Sequence, residues 1–200
     1  MKSGIGSSAV SLTSNSGFIA EHDRTLGLRC HDRHFRDAVV YDESGTKIFN
    51  LNAKDMGTSW TLRRGLFDSE GRHVLDLRHT KMGLKTWVLE DHNGNEFCKI
   101  KDVTSTSGFT AVDVEVLADG SDTSSIQIRS FDKAGSRTTF QVDGATIVEM
   151  TLTDNNDASF LHKRGLDRTT WKLQVVRGVD IALVVALAFA RVEIMHAWRR

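Results

Sequence analysis

The stretch that most restricts this chain is "DIALVVALAFARVEIMHAW", residues 180–198, its most apolar segment. Ala, Leu and Met favour a helix, and Asp180 belongs in its first turn, where the helix dipole favours an anion. Arg199 and Arg200 stand at the other end, where cations are favoured. The predicted helix runs over about residues 178–198 and is about 30 Å long. Its uncharged run, Ile181 to Ala190, is only about half of what a bilayer span requires. Arg191 and Glu193 would each cost roughly 2.5–3.5 kcal/mol in hydrocarbon. A spanning helix is therefore disfavoured. An interfacial helix needs a polar, basic face. This one is apolar nearly all round, the pattern of a helix buried on every side. Ile181, Leu183, Val184, Ala186, Leu187 and Phe189 are its expected core residues, and the small side chains suit close packing.

The preceding residues supply the wall for such a helix. From Leu26 to Val176, short alternating segments are separated by turns: DESG (42–45), DSEG (68–71), DHNG (91–94), ADG (118–120), DKAG (132–135) and VDG (142–144). Asp and Asn bond their own backbone two residues on, and Gly supplies positive φ. Proline is absent, so these residues must make the turns. "KIFNLNA" sets Ile48, Asn50 and Asn52 against Phe49 and Leu51, and "HVLDLRH" sets Val74, Asp76 and Arg78 against Leu75 and Leu77. Val, Ile, Thr, Phe and Trp suit a pleated, half-buried surface. About a dozen strands at meander spacing predict an antiparallel sandwich or barrel. A barrel that wide has room for the helix inside it. Trp60, Trp87 and Trp171 are expected to pack in its wall, and Trp198 to cap its mouth. Residues 1–17, rich in Ser and Gly, are expected to form a flexible arm, with one domain over 18–200.

Three blocks resemble the LURP-one-related family of the Tubby C-terminal-like superfamily, which also holds the phospholipid scramblases. They are "VVYDESGTKIFNL" (39–51), "LRRGLFDSEGRHVLDLRHTKMGLKTWVLED" (62–91) and "VVRGVDIALVVALAF" (175–189). They cover about residues 35–195 in the right order, and the helix block is the most specific. The resemblance implies a mainly β fold: a twelve-stranded antiparallel β-barrel enclosing a central hydrophobic C-terminal α-helix. It also implies a non-enzymatic binding module. Tubby domains bind phosphoinositides through basic surface side chains, whereas the LURP-one-related branch has no established general activity. Scramblases carry an acidic calcium-binding segment before a longer apolar helix. Here that segment is "KRGLDRTTWKLQVVRG", which is basic, so no calcium ligands carry over.

Charge decides what such a surface can attract. Lys+Arg and Asp+Glu are balanced at 26 each, which argues against a general nucleic-acid binder. Local excess of cations exists in two places. Arg63, Arg64, Arg72, Arg78, Lys81 and Lys85 outnumber Asp68, Glu70 and Asp76; Lys163, Arg164, Arg168 and Lys172 face only Asp167. If the two segments adjoin, Arg63, Arg64, Arg78, Lys81, Lys85, Lys163, Arg164 and Arg168 are the candidate headgroup ligands, Arg as a bidentate donor and Lys as a point charge. This choice rests on charge alone. The alternative is that these cations solvate outward strand faces and hairpin ends. The expected partners are thus a phosphoinositide or other anionic membrane surface, or a protein, with no nucleic acid.

Other chemistry is weakly marked. "CHDRH" (30–34) offers Cys30, His31 and His34, but zinc takes three or four convergent ligands and Cys98 stands apart. "TDNND" (153–157) lacks the Gly and Glu of an EF-hand loop. No G-x-S-x-G nucleophile motif occurs. No enzyme, metal or cofactor is expected. Two cysteines and a start without a signal-peptide core suggest an intracellular protein, cytoplasmic or peripheral to a membrane.

Overall fold

The computed structural model describes residues 18–30, 37–53, 62–80, 86–106, 108–117, 124–155 and 169–198. The expected arm, 1–17, lies outside them. Among the described residues twelve strands are present, beginning with β1 (Arg24–Cys30), β2 (Asp37–Tyr41), β3 (Lys47–Ala53), β4 (Arg64–Asp68), β5 (His73–His79) and β6 (Thr86–Glu90). They continue with β7 (Glu96–Asp102), β8 (Ala111–Val116), β9 (Ser124–Ser130), β10 (Arg137–Val142), β11 (Ala145–Asn155) and β12 (Thr169–Val175). Each pairs antiparallel with its sequence neighbour, and β1 pairs with β12, so the sheet closes into a barrel. A helix, α1 (Ile181–Trp198), follows the strands.

Four hairpins close on one template. Asp42, Asp68, Asp91 and Asp132 each accept, through Oδ1, the backbone N–H of the residue four positions on. In each turn the fourth residue is a glycine at positive φ, Gly45, Gly71, Gly94 or Gly135, whose N–H bonds the aspartate carbonyl. The Asp side chain supplies the acceptor that the turning backbone lacks, and Gly reaches the left-handed region without strain. Ionisation strengthens these bonds, so all four carboxyls lie below their ordinary range. The Ser44 hydroxyl contributes most at Asp42 and the Asn95 N–H at Asp91. At Asp68 and Asp132 burial works upward, but the Arg72 side chain and the Ser136 N–H respectively lead the opposing interactions.

The turns set the register, and the register sends one side of each strand inward. Leu26, Leu28, Leu51, Leu66, Leu77, Leu89, Ile100, Val114, Ile128, Phe140, Met150 and Leu173 are buried against the interior. What fills that interior is α1, buried from Ile181 to Val192 without a break. Ile181, Leu183, Val184, Ala186, Leu187 and Phe189 all belong to this core, and so do Trp87 and Trp171. Trp60 lies outside the described residues, as does the side chain of Trp198. A fully buried Leu, Val or Phe stabilises by roughly 1.5–3 kcal/mol, so α1 anchors the wall from within.

Asp180 precedes the helix rather than lying in its first turn. Its Oδ1 accepts the N–H groups of Ala182 and Leu183, capping donors that the helix cannot satisfy itself. Gly178, at φ +88°, redirects the chain from β12 into the lumen. Its N–H bonds Ala20 O, and Ala20 N–H bonds Val179 O, so the segment before β1 ties down the helix entry.

Candidate functional site

The described basic candidates are engaged with carboxylates. Asp76 and Glu90 stand opposite each other on β5 and β6. Two adjacent carboxylates repel unless cations bridge them. Arg63 does so, with Nη1 2.7 Å from Asp76 and Nη2 2.6 Å from Glu90. Arg78 adds Nε to Glu90 at 2.6 Å and Nη2 to Glu96 at 2.5 Å. Burial pulls the Arg63 guanidinium down, but its bonds to Asp76 and Glu90 outweigh that and hold it above its ordinary value. This outer network holds more carboxylates than guanidiniums.

Arg64 turns the other way. It shares the inward side of β4 with Leu66 and Asp68, and its side chain is 3% exposed. Inside the barrel Nη2 meets Glu193 Oε1 at 2.8 Å, Nη1 donates to Leu62 O, and the guanidinium lies over the Phe189 ring. His79 Nε2 is 3.4 Å from the same Glu193 oxygen. Burial drives the Glu193 carboxyl upward, but His79 and the Arg64 charge outweigh it and keep the carboxyl below its ordinary value. Arg72 is held in its turn by Asp68 and Glu70. Lys81, Lys85, Lys163, Arg164 and Arg168 lie outside the described residues, as does any contact between the two basic segments.

Arg191, the second charge on α1 within the lumen, is fully buried. Its Nη2 donates to Ser130 Oγ and Gly135 O, and its guanidinium stacks 4.9 Å from the Trp171 ring centre. Its charge also stabilises the ionised Asp132. Both helix charges that forbid a bilayer therefore find partners on the barrel wall.

Two surface grooves lie at the end where α1 begins. One, about 380 Å³, runs between Arg24, Thr146, Glu149 and Gln174. The other, about 350 Å³, is lined by apolar Phe18, Phe49 and Ile181 and by charged groups of both signs, Glu21, Arg24, Asp68 and Arg72. The opposite rim carries exposed aromatic residues that the sequence reading passed over. Phe131 is 62% exposed and Phe109 is 38% exposed. Ser130 N–H bonds Thr110 O, and Ala111 pairs with Arg129. Two steps beyond Ala111 and Arg129 on that register stand Phe109, just before β8, and Phe131, just after β9. The signal available in the sequence was an aromatic residue abutting an Asp-x-x-Gly turn, "FDKAG".

Of the weaker motifs, Cys30 is buried in β1, while His31 and His34 lie outside the described residues. Among the described residues no three His, Cys, Asp or Glu side chains are grouped to hold a metal ion. Thr153, Asp154 and Asn155 end β11; Asn156 and Asp157 lie outside. Among the described residues no helix is long and apolar enough to cross a membrane.

A closed antiparallel barrel of twelve strands, threaded by its own C-terminal helix, is the tubby-like architecture. The profile of the LURP-one-related family matches residues 24–191, and the chain belongs to that family. The crystal structure of an Arabidopsis thaliana protein is similar, with TM-score 0.62 and 13% identity over 93% of this chain and 98% of the other. At that identity the likeness concerns the fold. No curated protein matches the chain.

Proposed function

We propose that this protein is a non-catalytic docking module whose outer surface engages anionic membrane lipid. The observation that carries this reading is the occupied lumen: α1 is buried from Ile181 to Val192, so ligand chemistry is left to the outside. The charged groups inside, Arg64, Glu193 and Arg191, serve to hold helix and wall together.

Arg63 and Arg78 would have to surrender carboxylates to bind a phosphate. In this reading the headgroup cations are therefore Lys81, Lys85, Lys163, Arg164 and Arg168. Thr80 and Thr86 bracket the first pair, and Asn155 and Thr169 bracket the others; these four lie on the Phe109–Phe131 rim. Each Lys or Arg near an anionic surface contributes about 1 kcal/mol of attraction.

The test is co-sedimentation with vesicles of phosphatidylcholine alone, or with added phosphatidylserine or phosphoinositide. Binding should require anionic lipid, weaken with salt, and fall when Lys163, Arg164 and Arg168 are changed to Glu. Indifference to headgroup charge would overturn the lipid reading. A co-purifying protein with no vesicle binding would establish an interaction scaffold in its place.

A further inference from the structure

We infer that the rim bearing Phe109 and Phe131 is the edge that enters the interface of an anionic bilayer. This rests on the lipid reading above and adds a specific contact surface to it. The two aromatics extend from neighbouring strand pairs on the outer side, joined by the Thr110–Ser130 bond. The only other exposed large hydrophobic side chain among the described residues, Val176, follows β12 at the opposite end.

The surroundings complement negative lipid. Arg137 places its guanidinium 5.8 Å from the Phe131 ring centre, and Lys133 is exposed in the same turn. Across from them, Val103 to Thr110 contains no charged residue. The one carboxylate of the rim turn, Asp132, is folded inward onto the Ser136 and Arg137 N–H groups and the Ser136 hydroxyl. Apart from small uncharged polar groups, these two turns project aromatic and cationic side chains, the combination that interfacial proteins present to anionic lipid. The turn is fixed by Asp132 and by Arg191 on Gly135 O, so Phe131 is displayed without further ordering.

Two measurements test the inference, using phosphatidylcholine vesicles with and without phosphatidylserine. First, F109S/F131S should weaken binding about tenfold, the loss expected when buried aromatic area is removed. Second, an environment-sensitive dye on T106C should shift to the blue on anionic vesicles, while one on N93C at the far rim should not. Cys30 and Cys98 are buried, and burial raises the Cys98 thiol far above its ordinary value, so labelling goes to the introduced thiol. If wild type binds but neither the serine variant nor the dye responds, insertion at this rim is wrong and the docking reading survives. If wild type binds no anionic vesicle, both fall.

Discussion

Arg64 on β4 and Glu193 on α1 meet 2.8 Å apart inside a closed barrel, a pairing between residues 129 positions apart in the chain. Removing one partner leaves the other charge buried. E193L is expected to destabilise by about 3–5 kcal/mol, whereas R64M/E193L together should recover most of that loss. Urea unfolding of the single and double variants measures the coupling. Additive losses would mean that the pair is not linked.

Acid should unfold this protein through its turns. Asp42, Asp68, Asp91, Asp132 and Glu193 all have folded values below their ordinary ones, 3.8 for Asp and 4.5 for Glu. Depressed carboxyls contribute stability that is present above the unfolded pKa and lost as pH falls through the folded pKa. The urea midpoint should hold from neutral pH to about 5 and decline below about 4.5. D42N/D91N keeps the acceptor shape without the charge. It should be weaker at neutral pH and show a flatter acid limb; an unchanged limb would remove these turns from the explanation.

Glycines of the same turn template should differ in tolerance. A Cβ on Gly135 would lie 2.7 Å from Arg191 Nη2 and 2.9 Å from Met195 Sδ, while one on Gly45 meets nothing within 4 Å. Both have positive φ. G45A should cost roughly 1–2 kcal/mol from the backbone alone. G135A should cost clearly more, because it also displaces a buried guanidinium. Thermal melts of the two variants make the comparison.

The helix can be tested from the middle. Ala186 has no exposed surface, and an aspartate there has no partner. A186D should cost more than about 4 kcal/mol and yield little folded protein. A cooperative melt near that of wild type would contradict a helix in the lumen.

Much of this architecture is legible in local pattern. Alternation in "KIFNLNA" reports that Phe49 and Leu51 face in because the strand period is two everywhere. The repeated Asp-x-x-Gly turns are legible because each is completed by its own side chain. The all-round apolarity of Ile181–Ala190 admits few environments. The charged residues are different, since their roles depend on partners set by closure. Arg64 reads as a surface cation until Glu193 comes beside it. Arg63 and Arg78 read as surplus charge because Glu90 and Glu96 lie just beyond the 63–85 segment and reach them only across β6 and β7. Phe131 reads as a strand residue until the register leaves it outside.

The β1–β12 seam joins Arg24 to Val175, and α1 comes later still. During synthesis at roughly 5–20 residues per second, β1 therefore waits on the order of ten seconds for the strand that completes its hydrogen bonds. Until α1 leaves the ribosome, the nascent wall has nothing to wrap around, and Leu26, Leu28 and their counterparts stay uncovered. A holding chaperone has its longest opportunity in that interval. The segment translated after all of these strands thus decides whether the wall made before it becomes a barrel or an aggregate.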